Sequence, residues 1–251
     1  MLRTTLIKTL AAAATLACAG ATWAAPTVFF AEDRSTSQSL DGTLSLAARN
    51  SFLATLQGVS TATFEDQALS SRTPLNLTFS GGLTATLNGD GCVDDTANNS
   101  DCGFANPGRW ATSGSKFWEV DAVQSFEITF GTAINAFGFF GTDIGDFDNR
   151  LQIMLTATDG TTTTLTVNHS LNLDNEANSL LFWGFTDLDK SYTSIKFFNT
   201  GFGQDVFAFD DMVIGVRGNI VTPPPNGAPE PSSLALLGVA LAGLGLTRRR
   251  R

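Results

Sequence analysis

The chain has 251 residues, of which 43% are hydrophobic and 16% charged, with 24 Gly, 20 Phe, three Cys and one His. This composition is typical of one well-packed domain with tails, and it excludes intrinsic disorder, a polytopic membrane protein and a cysteine-rich miniprotein. The net charge of −9 repels a phosphate backbone, so we expect no nucleic-acid partner.

The first 24 residues have the pattern of a secretory signal peptide. Arg3 and Lys8 precede an apolar run at 10–21, and the segment that follows ends at Ala24. This run is shorter than the stretch of about 20 residues that a membrane-spanning helix needs. The sequence therefore predicts a signal helix over 1–24, cleavage after Ala24 and export of the remaining chain.

A second helix is predicted near the start of the mature chain. Asp41 is a candidate N-cap, and Gly58 follows the last apolar position. The apolar residues between them recur at helical spacing: Leu44, Ala47, Ala48, Leu53 and Leu56, preceded by Leu40. We expect one helix over about 41–57.

Beyond this helix the apolar period changes to two, as in Phe126, Ile128 and Phe130. Asp159-Gly160 separates two such runs and indicates a hairpin. The runs lie at 61–66, 75–79, 83–87, 116–120, 126–130, 134–141, 151–155, 165–167, 179–185, 195–197 and 205–216. They predict an all-β domain over 25–220, an antiparallel jelly-roll-like β-sandwich with one N-terminal helix.

Cys92 and Cys102 are the two cysteines that remain after the signal peptide is removed. An even pair so close in sequence, in an exported chain, predicts a disulfide. The single His169 cannot complete a zinc site with them.

The loop between these cysteines is rich in oxygen ligands. The acids in and beside it are Asp90, Asp94, Asp95 and Asp101. Such side chains suit Ca²⁺, but Asp and Asn are also the common residues of solvated turns. Both interpretations stay open at this point.

The C-terminal end has three parts in a fixed order. A proline-rich linker over 221–228 leads to Pro229, Glu230 and Pro231; an apolar run at 234–246 and four terminal arginines follow. This order closely resembles the PEP-CTERM sorting signal of exported bacterial proteins. The resemblance implies a signal over 229–251 that an exosortase-type enzyme cuts near Pro229-Glu230-Pro231.

The apolar part of this signal predicts a short C-terminal helix over 232–247. The helix spans a bilayer only marginally, and we expect it to hold the chain in the inner membrane transiently. A permanent C-terminal anchor is the alternative. The resemblance places the processed protein at the cell surface or outside the cell.

Processing also changes the charge. Without residues 1–24 and the four terminal arginines, nine Lys and Arg stand against 24 Asp and Glu, a net charge of −15. Such a charge favours solubility, cation binding or association with an extracellular polymer matrix.

The segments at 136–143 and 206–214 resemble sandwich domains that precede PEP-CTERM signals and strands of jelly-roll carbohydrate-binding modules. In those modules an acid of the first strand and one of the last meet at a structural Ca²⁺ site. The resemblance carries this role to Glu65, Asp210 and Asp211. In the alternative interpretation, strand alternation places each acid on a solvent face.

Trp110, Trp118 and Trp183 are the indoles that remain after processing. Aromatic faces stack on sugars, so these three are candidates for a glycan-binding platform. Tryptophan also fills protein cores, which is the alternative for each of them.

Catalytic signals are weak. A Ser/His/Asp triad could use only His169, which lies beside Ser170 and near Asp174, and no Gly-x-Ser-x-Gly motif presents a nucleophile. We expect a binding or structural protein of the cell surface or extracellular matrix, not an enzyme, with carbohydrate, exopolysaccharide or Ca²⁺ as candidate ligands. The alternative is a secreted hydrolase that acts on glycans.

Overall fold

The computed structural model describes residues 25–34, 36–97, 102–103, 108–121, 126–145, 150–171, 179–200 and 206–221. The predicted signal helix, linker residues 222–228 and the predicted helix over 232–247 lie outside the described residues. Among the described residues, no helix combines the length and hydropathy of a membrane span.

Thirteen strands in this part of the chain form two antiparallel sheets. The order in the first sheet is β1 (Thr27–Asp33), β11 (Leu180–Thr186), β8 (Ala136–Thr142), β13 (Val206–Gly215), β6 (Lys116–Asp121) and β5 (Cys92–Asp95), with the short β2 (Thr61–Ala62) also paired to β13. The order in the second sheet is β10 (Thr162–Thr166), β9 (Leu151–Ala157), β12 (Tyr192–Asn199), β7 (Phe126–Ile134), β4 (Thr84–Asn88) and β3 (Leu75–Thr78). The predicted antiparallel β-sandwich is confirmed.

Two of the strands were not predicted. Strand β1 forms the edge of the first sheet, and neither its burial nor the apolar pattern of its sequence alternates with a period of two. Strand β5 contains Asp94 and Asp95, whose residue type favours turns. Pairing with β6 overrides that local preference.

Aromatic side chains from both sheets fill the space between them. Within the first sheet, the rings of Phe139 and Phe209 stack with centroids 4.8 Å apart, and in the second sheet Phe126 and Phe197 stack at the same distance. Phe126 also meets Phe209 edge to face at 5.7 Å, which joins the two sheets. Each fully buried ring contributes roughly 1.5–3 kcal/mol of burial free energy.

Helix α1 (Leu44–Leu53) lies inside the predicted range of 41–57. Its N-cap is Thr43, whose hydroxyl accepts a hydrogen bond from Leu46 N, and not Asp41 as predicted. The carboxylate of Asp33 accepts bonds from Leu44 N at 2.9 Å and Ser45 N at 2.8 Å. An acid distant in sequence therefore satisfies the first turn, which local sequence could not reveal.

The helix covers the outer face of the first sheet. Phe52 is fully buried there, with ring centroids 5.6 Å from both Phe29 and Phe182. Gly138 allows this close approach, because a Cβ at that position would lie 2.8 Å from Phe52 Cε1. The first sheet is thus covered on both faces, whereas strands such as β9 in the second sheet alternate between buried and partly exposed residues.

Candidate binding sites

The disulfide predicted from the cysteine pair is present. Cys92 and Cys102 are joined with an S–S distance of 2.03 Å and a Cα–Cα distance of 5.7 Å. Cys92 opens strand β5, so the disulfide ties the following loop back to the edge of the first sheet.

Asp94, predicted from the sequence to belong to the loop between the cysteines, lies in strand β5 and is not a solvated turn residue. It is 0% exposed; Oδ1 accepts a hydrogen bond from Asp95 N at 2.7 Å and Oδ2 one from Cys102 N at 3.4 Å. The turn interpretation is therefore wrong for Asp94, because its strand faces the interior. Asp101 lies outside the described residues.

A buried ionic network that we did not predict lies beside this loop. Arg109 donates from Nε to Oε2 of Glu119 at 2.9 Å, and its Nη1 lies 3.5 Å from Oδ2 of Asp143. All three side chains are nearly inaccessible to solvent. The sequence gives only a weak indication of this network: Glu119 is an acid within an otherwise apolar strand segment, and no motif marks it.

Burial raises the pKa of Glu119 to about 7. The nearby carboxylates of Asp94 and Asp90 raise it further, while Arg109 opposes the shift. The second carboxylate oxygen of Glu119, Oε1, is buried, and no described residue donates a hydrogen bond to it. An orphaned buried acceptor of this kind is uncommon in folded proteins.

Asp210 and Asp211 lie in β13 just before the residues that pair with β2, and Glu65 lies three residues beyond the end of β2. Their carboxylates hold the loop at 112–116. Glu65 Oε1 accepts from Ser115 N at 2.8 Å and from Lys116 N at 2.6 Å.

The two aspartates hold the other half of this loop. Oδ2 of Asp210 accepts from the backbone N–H groups of Thr112 at 2.8 Å and Ser113 at 3.2 Å. Oδ1 of Asp211 accepts from Ser113 Oγ at 2.6 Å. Burial, followed by the neighbouring Asp211, raises the pKa of Asp210.

Among the described residues, Glu65, Asp210 and Asp211 do not form a group of three ligand atoms close enough to share one ion. Backbone and hydroxyl donors of the loop occupy these carboxylates. Calcium binding by the three residues stays a prediction.

All three candidate indoles are core residues. Trp110, Trp118 and Trp183 are at most 2% exposed. Trp118 stacks on Phe64, and Trp183 packs among the rings of the sandwich core. Their burial leaves no indole face at the surface of the described domain for a sugar to stack on.

His169 is fully buried and serves the backbone. Its Nε2 accepts a hydrogen bond from Leu151 N at 2.9 Å, so the proton is on Nδ1, which donates to Ser170 O at 2.7 Å. Burial lowers the pKa of His169. Both ring nitrogens are occupied by structural hydrogen bonds.

The outer face of the second sheet is a polar surface. The pairing register places six hydroxyl and amide side chains in one row across all six strands: Asn76, Thr86, Thr129, Ser194, Thr156 and Thr162. With a strand spacing of about 4.8 Å, the row is roughly 24 Å long. We call this outer surface of the second sheet the hydroxyl face.

The hydroxyl face is nearly neutral on a strongly acidic chain. The strands of the second sheet carry one acid and one base, Glu127 and Lys196, which stand directly opposite each other. Met154 pairs with Lys196 on this side, and Phe198 pairs with Gln152; both apolar side chains are partly exposed. Phe198 was not identified from the sequence. Because side chains alternate along a strand, the buried Phe197 could have indicated that Phe198 lies on the outer face.

The two ends of the described domain lie together. Ala25, which follows the predicted signal cleavage, and Val221, which precedes the linker, line the same groove of about 330 Å³. Phe29 and Leu188 contribute apolar surface to it, and two acids, Asp187 and Asp189, also line it. The predicted processing residues Ala24, Pro229, Glu230 and Pro231 lie outside the described residues.

Residues 228–251 match the family model of the PEP-CTERM protein-sorting motif. This segment is a PEP-CTERM sorting signal. The PEP-CTERM signal indicates export, processing by an exosortase-type enzyme, and a final location at the cell surface or outside the cell. The prediction made from Pro229-Glu230-Pro231 and the terminal arginines is confirmed.

Solved structures give distant likenesses to the sandwich. The K2 cleaved adhesin domain of Lys-gingipain is 14% identical, with a TM-score of 0.38 over 63% of this chain and 98% of that domain. A xylan-binding domain from CBM 22 is 12% identical, with a TM-score of 0.33 over 64% and 96%. TmCBM61, in complex with beta-1,4-galactotriose, is 15% identical, with a TM-score of 0.26 over 51% and 86%.

At such TM-scores these likenesses place no ligand or activity on this chain. Among curated proteins, none matches it.

Proposed function

We propose that the exported domain is a binding protein of the extracellular matrix, and that its hydroxyl face binds polysaccharide. The observation that carries the proposal is the row of six hydroxyl and amide side chains across the second sheet. A long, open row suits an extended polymer better than a small molecule, which binds in a concave pocket.

The chemistry of the face fits a neutral glycan chain. Hydroxyl and amide groups both donate and accept hydrogen bonds, as sugar hydroxyls do. Met154 and Phe198 supply apolar contact for the C–H face of a sugar ring. This face carries almost no net charge, whereas the rest of the chain is strongly acidic and repels polyanions. A neutral polysaccharide is therefore the better ligand.

A binding role is also favoured over the alternative of a glycan-acting hydrolase. His169 is engaged in two structural hydrogen bonds, and the buried Glu119 lies beside a cavity of only about 10 Å³. Neither residue offers an open cleft with converging carboxylates.

Affinity electrophoresis tests the proposal, with purified processed protein in gels that contain cellulose derivative, xylan or the extracellular polysaccharide of the producing cells. Thr129→Glu combined with Thr156→Glu places two charges in the middle of the row. We expect at least a tenfold loss of affinity for the polysaccharide that the wild type binds.

The matched control is Ala47→Glu combined with Asn50→Glu. Both residues are exposed on helix α1, which covers the other sheet, so the change in net charge is the same. Unchanged affinity of the control is the expected result. Equal loss in both variants, or no retardation of the wild type in any gel, would refute the proposal.

A further inference from the structure

The acids beside the disulfide surround a cavity of about 10 Å³. Asp90, Glu119, Asp121 and both half-cystines line it. This volume is about what a single water molecule or small ion occupies.

Glu119 leaves one oxygen for such an occupant. Arg109 takes Oε2, whereas Oε1 is buried and has no hydrogen-bond partner among the described residues; the side chain is 2% exposed. Carboxylate oxygens of Glu119 and Asp94 lie within 4.8 Å of each other. One ion with oxygen ligands at about 2.3–2.6 Å can therefore touch both.

The charges around the cavity also favour a cation. Asp90, Glu119, Asp121 and Arg72 line the cavity, and Asp94 and Arg109 lie beside Glu119, so carboxylates outnumber guanidinium groups by four to two. Carboxylates brought this close repel one another unless a cation lies between them.

We propose that a divalent cation with oxygen ligands, of the Ca²⁺ type, binds at the edge of this cavity, between Glu119, which lines it, and Asp94, and is held by these two carboxylates. The sulfur of Cys102 is part of the disulfide and supplies no thiolate, so the ligand set consists of hard oxygens. This site is separate from Glu65, Asp210 and Asp211, and from the hydroxyl face.

The disulfide is part of the proposed site. Cys102 donates its backbone N–H to Asp94 Oδ2, and its sulfur lies within 4.8 Å of both ligand oxygens. The cystine therefore fixes Asp94 relative to Glu119. Reduction of the disulfide is expected to weaken cation binding at least tenfold.

The experiment is Tb³⁺ titration of the purified, oxidised exported protein, with emission excited through tryptophan. Trp118 precedes Glu119 in β6, and its ring meets Gly91 at the cavity wall. We expect Tb³⁺ emission that Ca²⁺ displaces, with an affinity for Ca²⁺ of about 0.1–1 mM, as in other extracellular modules.

Two variants test the ligands, because either alone could unfold the chain. Glu119→Gln and Asp94→Asn each keep the side-chain shape and should lower the affinity for Tb³⁺ at least tenfold. The exposed Asp66→Asn removes the same charge elsewhere and should leave the affinity unchanged. Glu65→Gln removes a candidate ligand near the paired strands β2 and β13 and tests that location as the alternative.

Thermal unfolding of the wild type gives a second readout. At a Ca²⁺ concentration one hundred times the Kd, the Tm should exceed that in chelator by about 5–10 °C. Loss of the Tb³⁺ signal in Glu65→Gln but not in Glu119→Gln would move the ion to the paired strands β2 and β13 and overturn the proposal. Equal Tm values with Ca²⁺ and chelator, and no Tb³⁺ emission, would identify the occupant as water and also overturn it.

Discussion

Replacing Cys92 and Cys102 together by alanine should destabilise the domain by a predictable amount. The disulfide joins residues separated by 10 positions in sequence. For a loop of this length, the loss of chain entropy in the unfolded state corresponds to about 2.7 kcal/mol. For a domain of this size, that loss lowers the Tm by about 5–11 °C.

Urea unfolding of the oxidised wild type, the reduced wild type and the double alanine variant measures this effect. Reduction leaves both sulfur atoms in place, so it isolates the covalent constraint from the loss of side-chain volume. We expect the reduced protein to lose about 2.7 kcal/mol, and the variant to lose more because both cysteines are buried. Equal midpoints for the oxidised and reduced protein would refute the reasoning.

Four further predictions concern the packing of α1, the buried histidine and the tail. Phe52→Ala should destabilise by about 3–5 kcal/mol in urea unfolding, whereas Leu44→Ala, on the same helix but 65% exposed, should change stability by less than about 0.5 kcal/mol. Gly138→Ala should cost about 1–3 kcal/mol, because its Cβ would lie 2.8 Å from Phe52 Cε1; no loss would contradict the close packing of α1 on β8. Burial lowers the pKa of His169 in the folded state, so the unfolded state takes up a proton first as the pH falls through about 6.5. The free energy of unfolding should therefore be full above that pH and decline below it. His169→Gln should remove this part of the pH dependence. Deletion of 232–251 should release the protein into the medium, and recovery of intact tetra-arginine ends from surface protein would contradict processing of the tail.

Period and spacing predicted the sandwich because the strands of the second sheet face water on one side. Strand β9 alternates cleanly, and its sequence shows a period of two. Strand β11 is buried along its whole length because α1 covers its second face, so alternation could not define its environment. Edge strand β1 and the acidic β5 depend on pairing partners that lie far away in sequence.

Prediction of the sites was less successful for a similar reason. Predicting the disulfide required only the redox compartment and the number of cysteines, and both can be obtained from the sequence. The partnership of Glu119 with Arg109 and Asp94 depends on how β5 and β6 pair, and no motif marks it. The indoles were assigned by residue type alone. Trp183 is buried because both faces of β11 are covered, whereas alternation along β12 brings Phe198 to the surface.

Hydroxyl-radical footprinting tests the central claim, that the hydroxyl face binds polysaccharide. Met154 and Phe198 are oxidisable side chains on that face, while Leu44 and Leu188 are exposed elsewhere. Addition of the extracellular polysaccharide of the producing cells should slow oxidation of Met154 and Phe198 and leave Leu44 and Leu188 unchanged. Binding that protects Leu44 or Leu188 and leaves Met154 and Phe198 as reactive as before would contradict the account.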